Sequence, residues 1–116
     1  MIWLWLSAAF MVTTARVHSV LGYRRLIVPL LRRREGPLSD ALTRRIIRVA
    51  WHATAVLMLI SAATVVWPGT PDELLAVVGA GWLATGLFDA VYTNGRHIAW
   101  PTLVGAGILA LIGALA

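Results

Sequence analysis

The chain has 116 residues, of which 59% are hydrophobic and only 13% are charged. A soluble domain of this length needs more polar surface to cover its core, so the balance argues against the soluble classes. The absence of cysteine excludes disulfides, thiolate metal sites and cysteine nucleophiles. The formal net charge is +5. Apart from histidine, every basic residue is an arginine beside an apolar block, which predicts contact with anionic lipid headgroups and no nucleic-acid partner.

The first apolar block covers residues 2–22 and predicts a transmembrane helix. Trp3 and Trp5 stand at its start, where an aromatic belt meets the membrane surface. No basic residue precedes Arg16, whereas a signal peptide begins with positive charge. We therefore expect this segment to be a retained helix.

Residues 23–45 are the most polar stretch and predict a basic cytoplasmic loop. Most of the arginines fall here, against only Glu35 and Asp40. An apolar run at 26–31 is too short to span a bilayer and is expected to lie in the headgroup region. The Ser39-Asp40 pair offers an N-cap for the helix that follows.

Three further apolar blocks predict spans at residues 46–67, 74–92 and 98–116. Proline and glycine punctuate the two turns between them. Asp72 and Glu73 fall in the first turn of the third helix, where carboxylates complement the helix dipole. We therefore expect an all-α polytopic membrane protein, a single membrane domain folded as an antiparallel four-helix transmembrane bundle, with Pro101 tolerated in the first turn of its last helix.

The arginines also predict the orientation. Eight of the ten arginines lie in the loop at 23–45 or in the turn at 93–96, whereas the turn at 67–71 and both ends of the chain carry none. Because positive charge is retained on the cytoplasmic side, the N- and C-termini are expected outside a bacterial inner (cytoplasmic) membrane.

Four titratable groups, one on each predicted helix, then fall near one depth. His18 and Asp89 lie roughly 6 Å inside the inner boundary, His52 lies roughly 9 Å inside, and His97 lies at the boundary. Ionisable groups at membrane depth are costly and usually pair or serve a function. These four residues are therefore candidates for binding a ligand or a metal, and Asp89 is also a candidate ion-pair partner of Arg16.

The chemistry of this cluster stays open. His18, His52 and Asp89 offer ligands that suit a divalent metal such as zinc, iron or manganese, although no local metal-binding spacing joins them. A less favoured alternative makes His18 and His52 the axial ligands of a haem whose propionates pair with nearby arginines, namely Arg16, Arg48 and Arg96. The plainer interpretation is that each histidine is interfacial and bonds to backbone or to a headgroup.

Small residues are concentrated on the last two helices, where they predict close packing. The candidates for such packing are Gly79, Gly81, Gly86, Gly105 and Gly107. The same surfaces suit a homodimer or docking into a larger membrane complex, and that alternative stays open.

Three short motifs carry a resemblance to a known group of proteins. The residues at 18–22 read His-Ser-Val-Leu-Gly, those at 28–31 read Val-Pro-Leu-Leu, and Trp51 is followed by His52. This pattern, over roughly the first half of the chain, resembles small uncharacterised bacterial inner-membrane proteins of four helices. The resemblance implies a membrane location and brings no activity with it.

The expected function is therefore binding. The chain shows no serine-histidine-aspartate arrangement, no phosphate-binding glycine loop and no nucleotide motif, so an enzyme is the least favoured class and only a metal-dependent reaction at the cluster stays open. We expect an integral membrane protein that binds a metal or a small ligand at the cluster, or serves as an accessory subunit. The alternative is an oligomeric transporter or channel for protons, ions or small solutes. A single copy lacks ionisable groups in the outer half of its spans, which disfavours a complete conduit.

Overall fold

The computed structural model describes all 116 residues and is all-α, as predicted. The helices are α1 (Ile2–Arg32), α2 (Ala41–Val66), α3 (Asp72–Tyr92) and α4 (Trp100–Leu115). The first three are long and apolar enough to cross a membrane. With 16 residues, α4 is apolar but shorter than the predicted span at 98–116. Its start is delayed because residues 96–99 continue the preceding turn.

The helix starts follow the local signals in the sequence. The Asp40 carboxylate accepts hydrogen bonds from the Thr43 backbone N–H at 3.1 Å and from its hydroxyl at 2.8 Å, which caps α2 as predicted. Asp72 and Glu73 occupy the first turn of α3. Pro101 lies in the first turn of α4, where the missing N–H breaks no helical hydrogen bond.

The predicted basic loop at 23–45 is largely helical, which corrects the sequence interpretation. Helix α1 runs on through Arg32, and α2 already begins at Ala41. Ile27 and Leu31 explain the extension, since both side chains are buried, with exposures of 3% and 5%. Burial of apolar side chains stabilises a helix whose charged face stays exposed.

The middle of α1 is a π-helix over Val17–Ile27. At its end the Val28 N–H donates to the Tyr23 carbonyl, five residues earlier. A π-helix of this length is rare, and such turns recur at functional sites. The stretch contains His18, Ser19, Gly22 and Tyr23, which all contact α2, as described below.

Helix α1 lies at the centre of the packing, with α2 on one side and α4 on the other. The most extensive contact is between α3 and α4, whereas α2 and α3 contact each other little beyond their connecting turn. The core consists of small and medium side chains: Ala8, Met11, Ala62, Val65, Leu75, Ala106 and Ala110. It leaves one side of the bundle, between α2 and α3, open.

The candidate packing glycines separate into three groups. A Cβ on Gly107 would lie 2.7 Å from the Gly79 carbonyl oxygen, and a Cβ on Gly86 would lie 2.7 Å from the Val104 nitrogen. These glycines let the α3 and α4 backbones approach closely. A Cβ on Gly105 would instead meet the Phe10 ring of α1, and a Cβ on Gly81 would meet no atom within 4 Å, so close packing within the chain does not require glycine at position 81.

Candidate functional site

The most specific contact between α1 and α2 joins His18 to Trp51. The two rings stack with centroids 4.0 Å apart and planes inclined by 12°. Trp51 Nε1 donates to the His18 carbonyl at 2.8 Å. In return His18 Nε2 lies 2.9 Å from the Trp51 carbonyl oxygen and must donate, because that oxygen can only accept. This tautomer leaves Nδ1 of a neutral His18 as a free acceptor.

Gly22 makes that stacking possible. It lies one turn beyond His18 on α1, and an added Cβ would come within 2.8 Å of the Trp51 ring. The ring cannot retreat without losing its stacking and its hydrogen bond to His18. A residue larger than glycine therefore does not fit at this position.

A second polar contact follows one residue further along both helices. Ser19 Oγ and His52 Nδ1 lie 2.5 Å apart, and the Tyr23 ring packs on His52 with centroids 4.6 Å apart. The Tyr23 hydroxyl accepts a hydrogen bond from Arg48 Nε at 2.8 Å. His52 is therefore held by Ser19 and Tyr23 of α1, and it makes no hydrogen bond to the other three candidate residues.

Asp89 and His97 form the one salt bridge in the protein. His97 Nδ1 lies 2.8 Å and 3.0 Å from the two carboxylate oxygens of Asp89. Asp89 is partly buried at 20% exposure and His97 is 53% exposed. The bond fixes the proton of a neutral His97 on Nδ1 and leaves Nε2 free to meet a ligand. It also ties the end of α3 to the turn that precedes α4.

A cavity of about 500 Å³ lies between these elements. His18 and His97 both line it, together with Arg25 and three threonines, Thr14, Thr85 and Thr102. The rest of its wall is mainly apolar and includes the Trp51 ring. An apolar cavity with a few convergent polar groups is the usual form of a small-molecule site.

The cavity is continued by a lateral cleft between α2 and α3. The cleft has a volume of about 320 Å³ and is lined by small, polar and apolar residues of both helices, Trp82 among them. Met58, Thr85 and Leu103 line both the cleft and the cavity. The two spaces therefore adjoin, on the side where α2 and α3 make few contacts.

The sequence candidates are thus only partly brought together. Asp89 meets His97, and His18 shares a cavity with His97, while His52 contacts Ser19 and lies outside that cavity. No three histidine or acidic side chains approach closely enough to hold a metal ion. The predicted metal set of His18, His52 and Asp89 is not assembled, because the two histidines are engaged by different residues.

The residues of the haem site and of the Arg16–Asp89 ion pair are not brought together either. Two axial ligands must face one cavity, whereas only His18 of the proposed pair lines it. Arg16 forms no salt bridge with Asp89, whose partner is His97, and the Arg16 side chain is exposed. His18 instead matches the plainer interpretation in one respect, since its Nε2 bonds to a backbone carbonyl.

Sequence reasoning missed the roles of Trp51, Ser19 and Tyr23. In the structure the adjacent pair His18-Ser19 contacts the adjacent pair Trp51-His52 in order, each contact spanning the same number of residues. Both pairs belong to the motifs singled out in the sequence, but their spacing alone does not reveal that they touch.

Comparison of the chain with protein-family models, with curated proteins and with solved structures found no match. The resemblance to small bacterial inner-membrane proteins therefore stays a prediction, and the functional argument depends on the geometry described above.

Proposed function

We propose that this chain is an integral protein of the bacterial inner membrane that binds a small amphipathic molecule in its central cavity. The proposal depends on one observation, the cavity lined by His18, Arg25 and His97 and its lateral continuation between α2 and α3. It includes an antiparallel four-helix arrangement with both termini outside, for which the arginine distribution is the support.

The chemistry of the walls defines the ligand. The Arg25 side chain is a positively charged donor, whereas the free ring nitrogens of neutral His18 and His97 accept, so the head of the ligand is most favourably an anion such as a carboxylate bound by Arg25. The apolar cleft beside Trp82 and Met58 suits a hydrocarbon chain. A volume of about 500 Å³ is within the range of small-molecule sites.

The lateral cleft supplies the route of entry. In a bilayer, a molecule with an apolar chain is already concentrated beside α2 and α3, so it reaches the cavity without crossing water. The arginines would hold this end of the bundle at the cytoplasmic headgroups, so the polar walls of the cavity lie where the head of an amphiphile lies. We therefore propose binding from the cytoplasmic leaflet.

A brominated long-chain fatty acid tests this proposal, because bromine quenches tryptophan fluorescence on contact. Trp51 and Trp82 line the two spaces, so saturable quenching is expected in purified wild-type protein. Thr85→Phe places an aromatic ring where the cleft and the cavity meet. Because this ring would exclude the hydrocarbon chain of the ligand from its apolar site, the affinity is expected to fall about tenfold.

Thr13→Phe is the matched control. Thr13 and Thr85 are both exposed helical threonines whose hydroxyls donate to the carbonyl four residues earlier, but Thr13 lines neither space. Its quenching curve is expected to match that of wild type. Unsaturable quenching, equal in all three proteins, would mean that the acid only dissolves in the surrounding detergent and would refute the proposal.

A further inference from the structure

A second pocket, separate from the central cavity, lies where the end of α1 meets the start of α2. It has a volume of about 470 Å³ and is lined by four arginines, Arg32, Arg34, Arg44 and Arg48, together with Tyr23 and two apolar side chains. No residue lines both this pocket and the central cavity. We propose that this arginine pocket binds a phosphate group, carried either by an anionic lipid headgroup or by a soluble phosphate compound.

Four guanidinium groups around one pocket repel one another unless an anion lies between them. The protein supplies no such anion, since none of its arginines forms a salt bridge. The carboxylate of Asp40, at the start of α2, is already occupied by the Thr43 N–H and hydroxyl. Asp40 offsets the charge of Arg44 only weakly, so most of the charge of the pocket is not compensated by the chain itself.

The available donors suit phosphate in particular. A guanidinium presents paired N–H groups that match two oxygens of a phosphate. The side chains of Arg32 and Arg34 make no hydrogen bond within the protein and are therefore free to bind a phosphate. Arg44 and Arg48 are pre-positioned by their bonds to the Leu38 carbonyl and to the Tyr23 hydroxyl. Tyr23 accepts from Arg48 and so keeps its own hydroxyl proton to donate to an anion.

The backbone at Arg34 adds an independent observation. Its φ is +52°, a left-handed conformation that is unusual for a side chain other than that of glycine, asparagine or aspartate. Gly36, two residues on, has a similar φ of +55°. This left-handed turn directly follows the end of α1 and sets the course of the backbone at the pocket, where Arg34 is one of the lining residues.

The test compares two double variants of equal charge. Arg32→Gln/Arg34→Gln removes two pocket arginines, and Arg24→Gln/Arg33→Gln removes two exposed arginines nearby that do not line the pocket. Each double variant lowers the formal net charge by two, from +5 to +3. Any effect of overall charge is therefore the same in both proteins.

Two probes distinguish the source of the phosphate. In the first arm, native mass spectrometry follows retention of phosphatidylglycerol against phosphatidylcholine, supplied in equal amounts to the protein in detergent. In the second arm, inorganic phosphate is titrated calorimetrically into the same preparation. Preferential, saturable retention of phosphatidylglycerol alone assigns the pocket to a lipid headgroup. Saturable binding of inorganic phosphate assigns it to a soluble compound.

In either arm the pocket variant is expected to bind at least about tenfold more weakly, because it loses two charge-assisted contacts. The control variant is expected to stay within about twofold of wild type, as for exposed substitutions elsewhere. Equal losses in the two variants would show diffuse attraction without a site and would overturn the proposal. So would a wild type that neither prefers phosphatidylglycerol nor binds phosphate. Fatty-acid quenching, measured on the same variants, reports separately on the central cavity.

Discussion

At the scale of single residues, Trp51 joins α1 to α2 through three kinds of contact at once. Its ring stacks on His18, its N–H donates to the His18 carbonyl, and its own carbonyl accepts from His18 Nε2. Trp51 is half-buried, and its N–H finds a partner in the π-helical part of α1. The same ring lines the central cavity, so its position also determines the shape of the proposed ligand site.

Gly22→Ala is expected to destabilise the protein through this ring. The new Cβ would lie 2.8 Å from the Trp51 ring, whereas a Cβ on Gly81 would meet no atom within 4 Å. Comparison with Gly81→Ala largely cancels the helix propensity that alanine gains over glycine. Because the added methyl group overpacks against Trp51, the free energy of unfolding is expected to be about 1–3 kcal/mol lower for Gly22→Ala than for Gly81→Ala. Thermal unfolding in detergent, followed by circular dichroism, measures the difference. Equal midpoints for the two variants would contradict the described contact.

At the scale of helices, the starts and turns were predictable because their signals are local. Asp40, Asp72 and Pro101 each act within one turn of their own helix, so neighbouring sequence suffices to assign them. The extension of α1 through Arg32 was not predictable in this way. It depends on burial of Ile27 and Leu31, and the arginines around them suggest a loop when read without their contacts.

The pairing of helices and the rotation of their faces also escape sequence reasoning. The depth of a residue in the membrane follows from counting residues along its helix, so the sequence could predict that the histidines lie near one depth. Rotation depends on which side chains interlock across helices. Ser19 and Tyr23 engage His52, while the cavity holds His18 and His97, and no pattern within a single helix specifies that choice.

The start of α2 carries a prediction about pH. The hydrogen bond from the Thr43 hydroxyl, followed by that from its backbone N–H, holds the pKa of Asp40 below its ordinary value of 3.8, with a smaller contribution from Arg44. A group whose pKa is lower in the folded state stabilises that state fully above its unfolded pKa. The contribution is then lost as the pH falls through the folded value. Capping by Asp40 is therefore expected to weaken only below about pH 3.8.

Asp40→Asn isolates this effect, because asparagine also caps helices but does not titrate in this range. The difference in unfolding midpoint between wild type and Asp40→Asn is expected to be constant from pH 7 to pH 5 and to change in favour of the variant as the pH drops below 4. Thermal unfolding at each pH measures it. If the difference in unfolding midpoint between the two proteins already changed near pH 6, a group other than Asp40 would be responsible for the pH dependence.

At the scale of the whole molecule, the protein is 51 Å long and unequal in cross-section, 30 Å by 19 Å. Close contacts on three sides of the bundle and few between α2 and α3 produce this shape. Most of the glycines that were candidates for association between copies instead pack α3 against α4 within one chain. The open side between α2 and α3 is therefore the main surface that a ligand can reach. The membrane leaflet that this surface faces depends on the orientation of the protein in the membrane.

That orientation is tested by single-cysteine labelling, which the natural absence of cysteine makes free of background. Pro68→Cys lies in the exposed turn between α2 and α3, and Glu35→Cys lies in the exposed linker after α1 and leaves every arginine in place. A membrane-impermeant maleimide added to intact spheroplasts is expected to modify Pro68→Cys. It should reach Glu35→Cys only after lysis, because the arginines are expected to keep that linker on the cytoplasmic side. Labelling of Glu35→Cys in intact spheroplasts would place the arginine pocket outside and would remove the proposed entry of ligands from the cytoplasmic leaflet.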